Sequence, residues 1–495
     1  MNEFKCLVKE HGRFQIELKL RYPVKNIMNR YSLQMFIYTP QVLAVDKRNY
    51  GTTAFLKDLK VMTRISTPDI IFTNMVREDC EISPLFRIKA ELKNILLDRK
   101  KQSYNIIYEL RTLASIVRVQ MRKARVFLIK RIEKQEEPEL LENWFEEFCK
   151  DLDVFLNNFR DLKKDFVNPD IDQVLRTAYD WADESISLNI QRELGIMHKY
   201  CRVSENMNIF CRRLNDTVLN EMKHRKHHNY PSAEADIKKR VSGEAIVYRQ
   251  SVLKKWSQSV MYLNKEQSFQ PERITQIIAG TAAAVAMSFA VAATILTNRY
   301  FPQNTVFWGL ALVFAYILKD RIKETLRSGL KVIFPMAVAD RMSTLKDAAV
   351  QKRIGHYKSF VSFHTAENVP YDINKARGME RKPFQDILPS ENVILYNHII
   401  RLDGKKIYRI HKRIDSITEI IRLELHKFIQ LMDDPDQLYY YSENNNLQKK
   451  RLRRVYHINL VTVLADKRSG EKNTYHHRLI LNRDGLLRVE HIKQK

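Results

Sequence analysis

The sequence predicts an α+β membrane protein organised round a central two-helix transmembrane hairpin. A mostly helical N-terminal region, preceded by a β-rich segment, lies before the hairpin, and a C-terminal α+β region ending in a β-meander lies after it. Three observations carry this reading. Residues Ile274 to Asn298 contain no charged side chain, and Tyr300 to Leu318 contain none after the single Arg299. An α-helix rises ~1.5 Å per residue, so about 20 apolar residues cross the ~30 Å hydrocarbon layer. Strand-like composition at both ends of the chain, with a glycine-poor, helix-like body between them, supplies the α+β part.

In chain order, residues 1–80 read as β-rich. FQIELKLRYPV and YSLQMFIYT have strand composition, and Pro23, Pro40, Gly51 and Pro68 punctuate them. Residues 84–230 read as a helical bundle. Ser83 and Pro84 place an N-cap before a proline at the first helical position, and a break is expected near Lys100 to Ser103. A second helix starts at Pro138, and a third covers Ile171 to about Arg225. Residues 232–272 read as a juxtamembrane helix. Its Arg249, Lys254 and Lys255 alternate with Tyr248, Leu253, Trp256 and Tyr262, a pattern that suits either a lipid surface or the bundle.

The first span is assigned to 274–298 and the second to 303–320, beginning near Thr305 because Pro302, Gln303 and Asn304 are poor in apolar surface. Residues 321–495 form the C-terminal region. Lys319 to Lys331 extend the second span as a basic helix that Pro335 interrupts or kinks. HKRIDSITEIIRLELHKFIQLM reads as a helix, and Tyr439 to Tyr441 lead into a loop with Asn444, Asn445 and Asn446. Residues 455–492 read as a three-stranded meander with turns at Gly470 and Gly485. Such a meander is marginal alone, and the N-terminal β-rich segment is one surface on which it can dock.

Orientation follows from cations close to the membrane. Lys254, Lys255, Lys265 and Arg273 precede the first span; Lys319, Arg321, Lys323, Arg327 and Lys331 follow the second. Both termini are expected on the cytoplasmic side of a bacterial inner membrane, with the tip at 298–302 on the other. Lys319, Arg321, Lys323, Trp308 and Tyr316 are the expected membrane-interface residues. Gly280, Ala284, Ser288 and Ala292 recur every four residues, beside a neighbouring row of Ala282, Ala286, Ala290 and Thr294. Small residues at this spacing let helices approach closely in lipid, so the first row is assigned to helix packing, within the hairpin or between copies.

The net charge of +26 suits a chain held against anionic head groups, each nearby cation contributing about 1 kcal/mol. Neither metal-finger spacing nor the aromatic signatures of RNA modules occur, which disfavours nucleic acid as a partner. MNEFKCLVKEHGRFQIEL lacks an apolar signal region, so the hairpin is expected to act as its own insertion signal. Five scattered cysteines suit a reducing compartment.

Catalytic signatures are sparse. Only 12 glycines occur, and no phosphate-cradling or nucleophile-elbow motif appears. His224 and His228 share a helix face but stand among Lys223, Arg225 and Lys226, which repel a cation; a solvated helix end explains them better. Asp433, Asp434 and Asp436 suit a helix stop and turn better than a cation. His476 and His477 are expected on opposite faces of a strand. His356 and His364, near a helix-to-loop change around Gly355, are candidate bases without a visible partner. No cofactor is implied. The functional expectation is a membrane-anchored binding or scaffold protein with a protein partner or a second copy of itself. The alternatives are an enzyme acting on a lipid or anionic metabolite through its C-terminal region, and a subunit of an oligomeric channel or transport complex.

Overall fold

The computed structural model describes residues 5–97, 104–134, 138–202, 208–233, 240–267, 270–300, 302, 305–333, 339–348, 350–378, 390–444 and 446–492. The break expected at 100–103, tip residues Phe301, Gln303 and Asn304, Pro335 and Asn445 lie outside them.

The chain opens with strands β1 (Lys5–Glu10), β2 (Gln15–Pro23) and β3 (Met28–Pro40), helix α1 (Gly51–Asp58) and strand β4 (Leu59–Ile65). The helical body follows: α2 (Phe72–Val76), α3 (Pro84–Leu97), α4 (Tyr104–Glu133), α5 (Pro138–Asp161), α6 (Lys163–Phe166), α7 (Gln173–Cys201), α8 (Asn208–His227) and α9 (Arg240–Gln258). Strand β5 (Asn264–Gln267) leads into α10 (Gln270–Tyr300) and α11 (Val306–Ile333). The chain then returns through β6 (Arg341–Lys346), β7 (Arg353–Thr365), α12 (Tyr371–Arg377), β8 (Glu391–Asp403), α13 (Gly404–Ile410), β9 (Ser416–Glu424), α14 (His426–Ile429), β10 (Asp436–Glu443), β11 (Asn446–Arg453), β12 (Tyr456–Asp466), β13 (Lys472–Asn482) and β14 (Gly485–Ile492).

The strands from both ends of the chain build shared sheets. One has the order β1-β2-β9-β4, the other β14-β13-β12-β3-β8-β7-β6-β5, and β10-β11 form a separate ribbon. The meander therefore docks on the N-terminal segment: β12 runs antiparallel to β3, with Val461 opposite Phe36. Inward residues alternate as a half-buried strand requires. Ile16, Leu18 and Leu20 of β2, Leu33, Met35 and Ile37 of β3, and Ile417, Ile421 and Leu423 of β9 join one core between the two sheets.

The helical body has its own core, in which Leu113, Val117 and Met121 of α4 meet Phe155 and Phe159 of α5 and Tyr179, Ala182 and Ile186 of α7. Two polar fasteners join it to the sheets. The Tyr108 hydroxyl lies 3.1 Å from His411 Nδ1, whose other nitrogen meets the buried Asp347 at 2.5 Å. Arg413 reaches Glu109 at 2.6 Å.

Three expectations are corrected. Residues Ser416–Glu424, expected to be helical, form β9. Their period is two: Ile417, Glu419, Ile421 and Leu423 point inward, and β-branched residues dominate. The loop expected after Tyr441 is instead the tip of the β10–β11 ribbon, where Asn444 takes φ 51°. The change of structure expected round Gly355 is absent, because β7 runs through it. A Cβ at Gly355 would lie 2.5 Å from the Arg401 carbonyl oxygen, so glycine permits β7 and β8 to approach there.

Candidate functional site

The hairpin interrupts the edge of the larger sheet. Strand β5 ends at Gln267, α10 and α11 leave the body, and β6 returns to pair antiparallel with β5, Asn264 opposite Lys346 and Gln267 opposite Ser343. Lys346 also meets Glu266 at 2.6 Å. The two ends of the insertion are thus held one strand spacing apart, about 4.7–4.9 Å.

Helices α10 and α11 pack against each other. Thr305 caps α11 by accepting from the Trp308 backbone N–H at 3.3 Å, while the Trp308 indole donates to Asn298 Oδ1 at 2.7 Å near the tip. Among the described residues, Gln276–Tyr300 is the one helix long and apolar enough to cross a membrane. Helix α11 does not meet that requirement. Its apolar part, Val306 to Leu318, covers ~20 Å, and Lys319, Asp320, Arg321 and Lys323 follow at once. A pair of spans, as the sequence predicts, is therefore reduced to one span-length helix with a shorter apolar companion.

Neither helix is buried by the rest of the chain. Only 11% of the most apolar 18-residue stretch of Gln276–Tyr300 is buried. Val285, Val291, Ile295, Phe307, Leu310, Val313, Phe314 and Ile317 are all exposed. The buried positions are Ala282 and Ala286, each 1% exposed, with Thr297 and, on α11, Ala315. Two members of the neighbouring row, Ala282 and Ala286, thus lie in the seam, with Ala290 half-buried and Thr294 exposed, while Gly280, Ala284, Ser288 and Ala292 are exposed. Of the expected interface residues, Tyr316, Arg321 and Lys323 are exposed, and the Lys319 ammonium lies 3.7 Å from the Tyr316 ring centre.

Helix α9, expected from the sequence to lie beside the membrane, packs on the bundle. Leu253 is buried, Arg249 pairs with the buried Glu184 at 2.6 Å, and its guanidinium sits over Trp181 at 5.1 Å.

The histidines and aspartates singled out in the sequence are occupied structurally. His224 meets the buried Asp183 at 2.7 Å rather than lying solvated. Burial, then Lys163, pulls His228 down to about 4. Asp433 accepts from Tyr456 at 2.8 Å and pairs with Arg454 at 2.9 Å; Asp434 pairs with Arg483 at 3.1 Å. His476 and His477 are both buried, because both faces of β13 are covered there. His356 and His364 lie eight positions apart on β7, ~26 Å along the strand, so they share no site. Among the described residues no group of three or more metal-binding side chains occurs.

Sequence reasoning missed a buried polar cluster between the sheets. Ser359, His398 and Glu419 are each fully buried. Ser359 Oγ lies 2.9 Å from His398 Nδ1, and His398 Nε2 lies 3.1 Å from Glu419. Tyr22 donates to Glu419 at 3.1 Å, and the Tyr396 hydroxyl is 2.9 Å from His398 Nδ1. Burial pushes the Glu419 carboxyl up, but His398, then Lys265 and Tyr22, outweigh it and hold the group below the ordinary carboxylate range. Burial also draws Lys265 down to about 8. The order hydroxyl, imidazole, carboxylate is that of an activated nucleophile. With Ser359 wholly enclosed, the cluster serves as a satisfied core network. Its members come from three successive strands, Ser359 of β7 standing directly opposite His398 of β8 and Glu419 lying on β9 of the other sheet. Alternation along each strand, with a polar residue at an inward position, is the signal that marks them.

Compared with protein-family models, curated proteins and solved structures, the chain matches none.

Proposed function

We propose that this chain is an integral membrane protein whose α10–α11 hairpin enters the bilayer twice, leaving both termini on the cytoplasmic side. The carrying observation is the outward apolar surface of α10 and α11, inserted between two paired edge strands. A core helix of a soluble domain hides such surface; here it is left uncovered, and large contiguous apolar patches signal a membrane or partner. The β5–β6 pairing supports a return to the starting side, since both ends of the insertion meet there. The shorter α11 is accommodated by local bilayer thinning and by Lys319 reaching along Tyr316 to the interface.

In this reading the sheets and the bundle form one body held against the inner leaflet, which acts as a membrane-anchored binding or scaffold protein. Anionic head groups and a protein partner are its expected contacts. The outward row Gly280, Ala284, Ser288 and Ala292 favours a second copy as that partner, because small residues facing lipid allow close helix contact.

Alkaline carbonate washing of membranes together with phosphatase fusions tests the topology. The full chain stays with the membrane, a fusion at residue 304 is active, and a fusion at the C-terminus is silent. Release by carbonate, or activity at the C-terminus, would refute the double crossing.

A further inference from the structure

Helices α4, α7 and α9 line a solvent-open cavity of about 170 Å³ whose charged lining is all cationic: Arg118, Arg192 and Lys254, with Asn189, Gln250 and Ser251 between them. It is smaller than the ~300–1,000 Å³ of sites for drug-sized ligands, which restricts it to a small group. Two more cations, Lys19 of β2 and Arg422 of β9, lie close enough for their charge to weigh on Lys254.

The nearby carboxylates are already engaged. Glu193 is held by Arg125 at 2.6 Å and by Arg192 at 2.8 Å. Glu17 is held by Arg422 at 2.8 Å and Lys19 at 3.2 Å. Among the described residues neither Arg118 nor Lys254 has an ion pair of its own. Arg118 is half-buried in the cavity wall, and a desolvated cation beside like charges is costly unless an anion joins it. Burial first, and then Arg192, lowers the Arg118 guanidinium below its ordinary value. Lys254 is lowered by burial and then by Arg118, Arg192, Lys19 and Arg422.

We infer that this cavity is a binding site for a phosphate-bearing anion, held by Arg118, Arg192 and Lys254. Guanidinium groups meet phosphate oxygens through paired N–H donors, and an ammonium adds a point charge. The Ser251 hydroxyl and the Asn189 and Gln250 amides supply neutral donors beside them. The ligand is either a soluble phosphate compound or the head group of a phospholipid. The site stands on the bundle and does not depend on the hairpin crossing the bilayer.

The test is thermal unfolding and titration calorimetry of the full chain in a neutral detergent, with inorganic pyrophosphate and short-chain phosphatidylglycerol as separate probes. One of them binds saturably and raises the melting temperature; which one does so tells a soluble phosphate from a lipid head group. Arg118→Gln and Lys254→Gln each weaken that binding tenfold or more. Without ligand both variants melt no lower than the unaltered chain, since each removes a repelling charge. Lys254 is exposed, so its variant keeps the test valid should Arg118→Gln fail to fold. No saturable binding of either probe, or equal binding by the variants and the unaltered chain, would overturn the assignment.

Discussion

Glu419 is the residue on which the sheet core turns. Its carboxylate receives Tyr22 at 3.1 Å and faces His398 at 3.1 Å, with no solvent access. Glu419→Ala strands both partners, and leaving a buried hydrogen-bonding group unsatisfied costs about 1–3 kcal/mol. Denaturant unfolding of the full chain in detergent measures it; a loss under ~1 kcal/mol would show the network to be dispensable. Because the folded carboxyl lies below its ordinary value, its contribution is complete above the unfolded pKa of ~4.3. It is lost as pH falls through the lower folded value, so the gap between unaltered chain and variant narrows in acid. None of this was legible from the residues themselves. Ser359, His398 and Glu419 stand on separate strands, and Glu419 lies in a segment that reads as a helix in the sequence. His224 was legible as half of a helix-face pair, but its Asp183 partner comes from another helix.

Elements with strong, uniform patterns read well. The strands β2 and β3, the long helices α4 and α5, and the uncharged stretch 274–298 of α10 stand where composition puts them, since each signal is local; the single helix expected over 171–225 is instead the pair α7 and α8. β9 did not, because SITEIIRLE satisfies both periodicities and only its place between β2 and β4 decides. The face of α10 that meets α11 was equally hidden: two small-residue rows run side by side, and packing chooses Ala282 and Ala286. Ala286→Leu therefore forces methyl groups into a filled seam, at about 1–3 kcal/mol, and lowers the melting temperature of the detergent-solubilised chain. Ala284→Leu, on the outward row, leaves that temperature unchanged but weakens any association between copies. Equal effects on melting would mean that the seam is placed wrongly.

At the scale of the whole molecule, the hairpin is an insertion between neighbouring strands. Replacing residues 268–340 with a short Gly-Ser turn joins β5 to β6 in their existing register. The shortened chain is expected to keep its mixed helix and strand circular dichroism and to remain in the aqueous fraction. Aggregation of the shortened chain would show that the hairpin is needed for the fold and is not merely carried by it. The two-ended origin of the sheets could only be guessed from the sequence, since hydrogen bonding between β3 and β12 leaves no mark on either segment.

That origin also sets an order of events in time. β3 has β8 and β12 as its neighbours, and β2 has β1 and β9. On a ribosome, the first strands emerge long before the strands that complete them, and chains are made at ~5–20 residues per second. The hairpin leaves the ribosome in that interval, while the sheet at its base is still open. On the membrane reading proposed above, delivery to the bilayer precedes closure of the body that flanks it. The unfinished N-terminal strands need shielding from other chains until the last residues arrive, as sheets with distant partners fold slowly and stay prone to aggregation meanwhile.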